Sequence, residues 1–323
     1  MKVLYIPQPG IMHPWYDDFA DVVGDEHEIV MFDFDAPVAD QFNDIGVVVE
    51  LGGKMNTHEM VDAAVAAGVK LWQVEGTGLD HVDLEYFLDN GMPFANTPGQ
   101  FSSIALAEHA LFFMLWFAKK YQENVTNLQE GLFYHPVTED LDSATLGLIG
   151  FGHSAKELAL RAAPLGMRIL AVDIIDVPQD VLDAHHVDFF AGIEKLDRVL
   201  AESDYLSLHT PATSATVNLI GKRELKLMKS SAVLVNIARG EIIDDDALIE
   251  ALQTGQIAGA ALDAFDVEPL PLDHPYFKLP NVILTPHTAG GSRGTSKRRG
   301  QAIADNVNRV ARGLQPLFLV TSP

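Results

Sequence analysis

A glycine-rich run near the middle of the chain constrains its fold more than any other feature. Residues 146–155 have the sequence LGLIGFGHSA, with an apolar strand before the glycines and a helical pattern, 156–163, after them. Gly150 allows a tight turn, Gly152 lets a pyrophosphate approach the backbone, and Ala155 permits close packing of helix on strand. The free N–H groups at the start of that helix favour phosphate. The run therefore predicts the first turn of a dinucleotide-binding unit.

An acidic residue indicates which dinucleotide this turn would bind. Asp173 directly follows the next apolar strand, 168–172, and lies 23 positions after Gly150. A carboxylate there can accept hydrogen bonds from both ribose hydroxyls and repels a 2′-phosphate. Glycine-rich turns without a ligand are common, but the strand, the helix and the acid together favour nucleotide binding. The predicted cofactor is NAD rather than NADP.

The pattern of apolar segments predicts two α/β domains. The first hundred residues alternate short apolar runs with helical stretches, which indicates a parallel sheet. From Leu146 onward a second series contains six predicted strands, enough for a doubly wound sheet. A helical segment, 290–312, follows the last strand and can cross back to the first domain. The predicted fold class is α/β, with two Rossmann-like or flavodoxin-like domains.

Composition excludes several classes of protein. The chain has 323 residues, a formal net charge of −23 and no cysteine. Such a charge argues against nucleic acid as a partner, and the lack of cysteine excludes thiolate chemistry and fits a reducing cytoplasm. The most apolar stretch, 110–118, is too short for a membrane span. We expect a cytoplasmic protein that binds neither nucleic acid nor membrane.

A small basic group stands out against this acidic background. Its members are Arg293, Lys297, Arg298 and Arg299. A solvated helix face is the favoured interpretation. The alternative is a positive collar that attracts an anionic substrate, which depends on where this segment lies. The adjacent histidines 185 and 186 lack an evident third ligand, so no metal site is predicted.

Polar residues follow three predicted strands of the second series. Arg239, Glu268 and His287 each come shortly after one of its last three strands, and ligands of open α/β sheets bind beyond the carboxyl ends of strands. Arg239 can bind a carboxylate and a carbonyl oxygen through its rigid fork. His287 can exchange a proton with that oxygen, and Glu268 can orient its ring and favour its protonated form. Taken singly, each is more often a loop or surface residue; together they predict a site for an α-keto acid.

Ordered motifs along most of the chain resemble those of the D-isomer-specific 2-hydroxyacid dehydrogenase family. They are GTGLDHVD at 76–83, NTPG at 96–99, ALAEH at 105–109, GFGHSA at 150–155, LHTP at 208–211, LMK at 227–229, NIARG at 236–240, DAFDVEP at 263–269 and PHTAGG at 286–291. The resemblance implies that Arg239, Glu268 and His287 form a catalytic trio. It also implies hydride transfer between the nicotinamide and carbon 2 of the acid.

The same resemblance implies further contacts. The backbone around Gly76, Thr77 and Gly78 is expected to bind the substrate carboxylate. The positions expected to contact NAD are Gly150, Gly152, His153, Ser154, Ala155, Asp173, His209, Thr210, Pro211, Ala238 and Asp263.

Domain organisation and assembly are also implied by the resemblance. The substrate domain would comprise residues 1–99 and 291–323, and the NAD-binding domain, 100–290, would be inserted into it. The active-site cleft would lie between two domains that close on binding. A homodimer is expected, with the long predicted helix 102–121 at its interface.

Alternatives remain for the substrate and for the function. A short 2-keto acid of the glyoxylate or hydroxypyruvate class is favoured. D-3-phosphoglycerate and D-lactate are alternatives, although residues 51–54 lack the arginine expected for a phosphorylated substrate. A second hypothesis is a catalytically weak, NAD-sensing interaction protein of the same fold. An adenosylhomocysteine-type hydrolase fits poorly, because the chain lacks cysteine and the trio matches the dehydrogenase pattern.

Overall fold

The computed structural model describes residues 1–322, which form two compact units. The first unit comprises Met1–Phe101 and the residues from Gly291 onward, and the second comprises Ser102–Gly290. Each contains a parallel sheet with helices, so the predicted α/β fold with two such sheets is confirmed. Residue 323, the last of the predicted substrate domain, lies outside the described residues. Within residues 1–322 we found no helix long and apolar enough to cross a membrane.

The first unit is built on a five-stranded parallel sheet of order β2-β1-β3-β4-β5, which is the flavodoxin-like arrangement. Its strands are β1 Lys2–Ile6, β2 Glu28–Met31, β3 Ile45–Glu50, β4 Leu71–Val74 and β5 Phe94–Ala95. Its helices are α1 Trp15–Val23, α2 His58–Ala67, α3 Leu84–Asp89 and a C-terminal helix, Arg293–Ala311. Short 3-10 helices cover Gly24–Glu26, Ala39–Phe42 and Gly99–Phe101.

Local sequence explains where these elements start and stop. The side chain of Thr57 accepts a hydrogen bond from the N–H of Met60 and caps α2, which ends at Gly68 with φ of 79°. Ser292 caps the C-terminal helix through the N–H of Thr295. These capping residues satisfy backbone groups that a helix end leaves unpaired.

The two faces of this sheet belong to separate apolar clusters, because successive side chains of a strand point to opposite faces. Leu4 and Trp72 lie in the cluster on one face. Val3 and Tyr5 lie in the cluster on the other, against α1 and the C-terminal helix. The C-terminal helix therefore covers one face of a sheet made by the first hundred residues.

The second unit is built on a seven-stranded parallel sheet of order β12-β11-β10-β9-β6-β7-β8. Its strands are β6 Thr145–Ile149, β7 Arg168–Val172, β8 Phe189–Ala191, β9 Tyr205–Leu208, β10 Val233–Asn236, β11 Gly259–Leu262 and β12 Val282–Leu284. Its helices are α4 Ser103–Ala118, α5 Tyr121–Gln129, α6 His153–Ala162, α7 Gln179–Ala184, α8 Leu196–Glu202, α9 Lys222–Leu227 and α10 Asp245–Gln253. Short 3-10 helices cover Ala163–Leu165, Ile193–Lys195, Gly240–Ile242 and Pro275–Lys278.

Two sequence predictions differ from the structure of the second unit. The helix expected over 102–121 ends at Ala118, because Lys120 adopts a left-handed conformation with φ of 45° and a new helix begins at Tyr121. The sheet also has one strand more than the six predicted. That strand, β8, has only three residues and lies at the sheet edge, so its apolar signal is weak.

Candidate active site

The glycine turn after β6 has the geometry that the sequence predicts. Gly150 has φ of 85°, and a Cβ atom there would lie 2.8 Å from the carbonyl oxygen of His209. Gly152 is the N-cap of α6, and apart from Gly152 and its two chain neighbours, no heavy atom of the described residues lies within 4 Å of the position its Cβ would take. The turn is therefore closed by a glycine on one side and open to a ligand at the helix N-terminus on the other.

The predicted ribose-binding carboxylate lies beside this turn. Oδ2 of Asp173 accepts a hydrogen bond from the N–H of Phe151 at 2.6 Å, and Oδ1 accepts one from Ile175 at 3.0 Å. The first of these bonds joins the end of β7 to the glycine turn after β6. Asp173 is thus brought next to Gly150 and Gly152, at the carboxyl ends of two neighbouring strands.

The segment after β9 forms the other wall of the turn. The His209 ring contacts Ser154 Oγ through Nδ1 and Ser207 Oγ through Nε2, each at 2.9 Å. Burial lowers the pKa of His209 to about 3, because it disfavours the charged imidazolium. His209 is therefore a neutral residue that ties α6 to β9. From the sequence, His209 was expected to contact the cofactor or to order a loop, and its contact with Ser154 was not identified.

Thr210 has a buried hydroxyl group that is free to bond a ligand. Its Oγ1 is buried and has no hydrogen-bond partner within residues 1–322, although its methyl group borders the glycine turn. Buried hydroxyls are normally paired. The open side of Gly152, the α6 N-terminus, the Asp173 carboxylate and this hydroxyl together fit a dinucleotide.

The remaining predicted cofactor positions have different surroundings. His153 is exposed at the start of α6, whereas Ala155 is buried against the strands, as close helix packing requires. Pro211 is exposed directly after Thr210. Ala238 is half-buried in the turn that precedes Arg239.

Three loops at the opposite half of the sheet bring the predicted trio to one edge. Strands β10, β11 and β12 are parallel neighbours, and Asn236, Leu262 and Leu284 are in register at their carboxyl ends. Gly240 lies against the Phe265 backbone so closely that a Cβ atom would stand 1.8 Å from its carbonyl carbon. The loop that carries Arg239 is therefore in backbone contact with the loop that leads to the glutamate of the trio.

His287 and Glu268 are hydrogen-bonded to each other. Nδ1 of His287 lies 2.8 Å from both carboxylate oxygens of Glu268. The histidine side chain is 45% exposed and the glutamate side chain 26%. Glu268 is itself oriented, since its Oε1 accepts a hydrogen bond from the Phe265 N–H at 3.1 Å. With Nδ1 engaged, Nε2 is the ring atom of His287 that can exchange a proton with a ligand.

Arg239 lies in a turn fixed by a buried asparagine. Nδ2 of Asn236 donates to the Arg239 carbonyl at 2.7 Å, and its Oδ1 accepts from the Ala238 N–H at 3.0 Å. Nη1 of Arg239 donates to the Ala238 carbonyl at 2.8 Å. The guanidinium is half-buried and its backbone is held on both sides. Sequence reasoning missed this role of Asn236, although a polar residue at the end of a buried strand was the available signal.

Asp263 holds the loop that carries the histidine. Its Oδ1 accepts from Thr285 Oγ1 at 2.5 Å and from the Thr288 N–H at 2.8 Å, and its Oδ2 accepts from the Ala289 N–H at 2.8 Å. His109 reaches Thr285 Oγ1 at 3.1 Å. The buried Asp263 carboxylate thus bonds the chain two residues before His287 and at the two residues after it.

The predicted substrate loop lies in the first unit, directly after β4. Thr77 Oγ1 donates to the Thr97 carbonyl at 2.9 Å, and Asn96 Nδ2 donates to the Thr77 carbonyl at 2.8 Å. The Gly76 carbonyl accepts from the Thr97 N–H at 3.2 Å. The loop 76–78 is therefore attached to the segment that follows β5.

Comparison with known proteins shows which chains this one is similar to. Residues 111–289 match the model of the family described as D-isomer specific 2-hydroxyacid dehydrogenase, NAD binding domain. A glyoxylate reductase of Korarchaeum cryptofilum is 37% identical over 254 residues, which cover 75% of this chain and 73% of that protein. A D-3-phosphoglycerate dehydrogenase of Archaeoglobus fulgidus is 36% identical over 81% of this chain, but the match spans only 50% of that longer protein.

A solved structure extends the likeness to the whole chain. The crystal structure of D-lactate dehydrogenase with NAD+ from Lactobacillus jensenii superposes with a TM-score of 0.83 at 29% identity, covering 100% of both chains.

Proposed function

The chain belongs to the D-isomer-specific 2-hydroxyacid dehydrogenase family of NAD-dependent oxidoreductases, and we propose that it reduces a short 2-keto acid of the glyoxylate or hydroxypyruvate class. The observation that carries this proposal is the hydrogen-bonded contact between Glu268 and His287, with Nδ1 of the histidine 2.8 Å from both carboxylate oxygens. A carboxylate-oriented imidazole at the same sheet edge as Arg239 is what reduction of a carbonyl requires of the protein.

Each catalytic residue has one role. NADH, when bound, supplies the hydride that is added to carbon 2 of the keto acid. His287 gives its Nε2 proton to the carbonyl oxygen, and Glu268 stabilises the imidazolium before that transfer. Arg239 binds the carboxylate and the carbonyl oxygen, where its charge stabilises the negative charge that develops. In the reverse direction His287 takes the proton back.

The substrate is proposed on three grounds. Gly76, Thr77 and Gly78 offer backbone N–H groups for the carboxylate in a loop attached to Thr97. The name of the Korarchaeum cryptofilum relative favours glyoxylate. Residues 51–54 contain Lys54 but no arginine, which weighs against a bulky phosphorylated acid such as D-3-phosphoglycerate.

The cofactor contacts are proposed to fall into two groups. Gly152, Asp173 and Thr210 would touch NAD directly, since they offer an open backbone, a carboxylate and an unpaired buried hydroxyl. Gly150 and His209 would shape the turn. Among the other expected positions, His153, Ser154, Pro211 and Ala238 border this region, Ala155 packs α6 on the sheet, and Asp263 would act through the loop that it holds.

The test is turnover with NADH and NADPH on a panel of 2-keto acids, followed by loss of absorbance. We expect activity with NADH on glyoxylate or hydroxypyruvate. Arg239→Ala should abolish turnover because the substrate loses its guanidinium, and His287→Gln should reduce kcat about a hundredfold or more near neutral pH, since general acid catalysis is lost. Arg223→Ala and His58→Gln, which alter exposed residues of the same types, are matched controls and should retain activity.

Two outcomes would contradict this function. Full activity in both catalytic variants would remove their assigned roles. A wild-type protein that binds NADH but turns over no 2-keto acid would favour the NAD-sensing interaction protein instead.

We further propose a cytoplasmic homodimer. The second unit exposes a row of large apolar side chains on α4, on α5 and in the segment after them. They are Phe112, Leu115, Leu128, Leu132, Phe133, Tyr134 and Val137, with exposures reaching 69% for Phe133 and 97% for Tyr134. Large exposed apolar side chains favour a protein partner, and a second copy of this chain is the proposed one. The absence of cysteine supports a reducing compartment.

A further inference from the structure

A half-buried arginine of the C-terminal helix, whose Nε atom is buried, contacts the proposed substrate loop. Nη2 of Arg299 donates a hydrogen bond to Thr77 Oγ1 at 3.0 Å. That hydroxyl donates in turn to the Thr97 carbonyl at 2.9 Å. Thr77 is therefore the link between the cationic side chain and the loop formed by Gly76 and Gly78.

Arg299 is an unusual residue at this place. Burial lowers the pKa of its guanidinium to about 10, and its Nε has no hydrogen-bond partner in the described part of the chain. The guanidinium lies over the ring of Trp15 at 5.5 Å. A buried charge contributes little net stability, because the free energy lost on desolvation offsets much of the free energy gained from its contacts. The contact of Arg299 with Thr77 is therefore better explained by a role other than stability.

A second buried ionisable group lies at the base of the same loop. Glu75 directly precedes Gly76 and is fully buried, and neither carboxylate oxygen has a hydrogen-bond partner within residues 1–322. Its charge and that of Arg299 act on each other. Tyr5 of β1 also places a buried, unpaired hydroxyl within range of the Glu75 charge. The loop therefore rests on a buried polar cluster, formed by Tyr5, Glu75 and Arg299, that the proposed catalytic steps do not use.

The topology explains why these side chains meet. Gln73 and Glu75 alternate with Val74 and so face the same side of the sheet. Gln73 Oε1 accepts a hydrogen bond from Asn306 Nδ2 of the C-terminal helix at 2.7 Å. Arg299 lies seven residues, or about two helical turns, before Asn306 and therefore on the same helix face. The carboxyl end of β4 is thus covered by the start of that helix.

We propose that Arg299 is a positioning residue for the substrate carboxylate: through Thr77 it sets the backbone N–H groups of Gly76–Gly78, and Glu75 is the buried acid at the base of the same loop. This inference rests on the proposed role of that loop in binding a 2-keto acid. A loop with two glycines has many backbone conformations, so an anion must otherwise supply the ordering free energy when it binds. Because Arg299 restrains the loop before the anion binds, binding no longer has to supply that ordering free energy.

The expected signature is a change in KM without a matching change in kcat. Arg299→Met should raise KM for the keto acid about tenfold, the effect of one lost charge-assisted hydrogen bond. Because the interaction is the same in ground state and transition state, kcat should change less than about twofold. The Kd for NADH, measured by fluorescence, should not change.

Variants of Thr77 separate positioning from a merely structural role. Thr77→Val removes the hydroxyl at nearly equal volume and should raise KM as Arg299→Met does, whereas Thr77→Ser keeps the hydroxyl and should restore a wild-type KM. The double variant Arg299→Met with Thr77→Val should be no worse than either single variant, because both break one linkage. Lys297→Met removes an exposed cation of the same helix and serves as the control for loss of charge.

Hydrogen–deuterium exchange of the backbone amides at 76–78 gives a readout independent of turnover. In Arg299→Met and Thr77→Val these amides should exchange faster than in the wild type, while amides of β1 are unchanged. The positioning role would be overturned if these two variants had wild-type exchange and a wild-type KM. It would also be overturned if kcat fell about tenfold while KM stayed constant. If the wild type lacks turnover, the proposed function fails, and exchange at 76–78 still decides whether Arg299 orders this loop. If Arg299→Met does not fold, the Thr77 pair decides alone.

Discussion

Two buried polar side chains, Asn236 and Asp263, shape the loops that carry the proposed catalytic groups. Asn236 bonds the backbone of Ala238 and Arg239, and Asp263 bonds Thr285 and the backbone on the far side of His287. Both residues use their polar atoms inside the protein, where an unpaired polar group would be expensive to bury. At the scale of single residues, the geometry of the reactive groups thus depends on side chains that need not touch a substrate.

Glu75 leads to a prediction about pH and stability. Burial raises the pKa of its carboxyl from about 4.5 to about 8, so the folded chain binds a proton that the unfolded chain releases between these values. The contribution of this carboxyl to the free energy of unfolding is fully present below about pH 4.5 and is lost as the pH rises towards 8. The Glu75→Gln variant does not titrate and escapes that loss.

Denaturant unfolding at several pH values between 5 and 8 measures the difference. The wild type should lose stability relative to Glu75→Gln by roughly 1 kcal/mol per pH unit in this window, with no further divergence above it. Glu28→Gln, which removes an exposed carboxylate of the same unit, provides the comparison. A constant difference between wild type and Glu75→Gln over the whole range would show that Glu75 does not carry a raised pKa.

At the scale of elements, the contact between the β10 and β11 loops depends on one glycine. A Cβ atom at Gly240 would lie 1.8 Å from the Phe265 carbonyl carbon and 2.0 Å from the Asp266 nitrogen. Because both neighbours are backbone atoms, a side chain there must separate the loops that carry Arg239 and Glu268. Gly240→Ala should lower stability by about 1–3 kcal/mol and reduce kcat/KM at least tenfold.

Thermal unfolding and steady-state kinetics test this element. Gly221→Ala is the matched control in the same unit, since a Cβ there makes only ordinary contact, at 3.5 Å from Glu224 Oε2. Wild-type behaviour of both alanine variants would mean that the two loops can separate without consequence for the site.

At the scale of the whole molecule, the exposed apolar row of α4, α5 and the segment after them predicts self-association. Leu128 is 65% exposed and Phe133 is 69% exposed, so aspartate at these positions would bury charge in the proposed interface. Light scattering after gel filtration should give a dimer mass for the wild type and a monomer mass for the Leu128→Asp and Phe133→Asp pair.

Leu272→Asp is the control for this experiment, because Leu272 is 93% exposed and lies between β11 and β12, away from the apolar row in sequence. It should remain a dimer. A monomeric wild type at micromolar concentration, or a dimer that survives both aspartates, would exclude this surface as the interface.

Much of the fold was predictable because it depends on local patterns. The strand predicted at 168–172 has the predicted bounds, and the helices predicted at 156–163 and 290–312 are observed as His153–Ala162 and Arg293–Ala311. Short apolar runs and turn residues specify such elements without reference to the rest of the chain. The short strand at 189–191 and the break at Lys120 were not predicted, since each depends on what packs beside it.

In the candidate site, too, some residues could be identified from the sequence and the roles of others could not. Arg239, Glu268 and His287 could be chosen because each follows an apolar strand, and their catalytic roles remain a prediction. The roles of Asn236 and Asp263 in holding the loops, and of His209 in tying α6 to β9, were not apparent, because a hydrogen-bond partner cannot be read from residue type.

The sequence by itself determined the fold class, the family and the cofactor, because glycine turns, strand periodicity and ordered motifs are local properties. Only the tertiary structure decided that Gly240 touches Phe265 and that Arg299 reaches Thr77, a residue 222 positions away. Contacts of this kind depend on how a parallel sheet brings distant strand ends and a returning helix to one edge. No local pattern encodes that convergence.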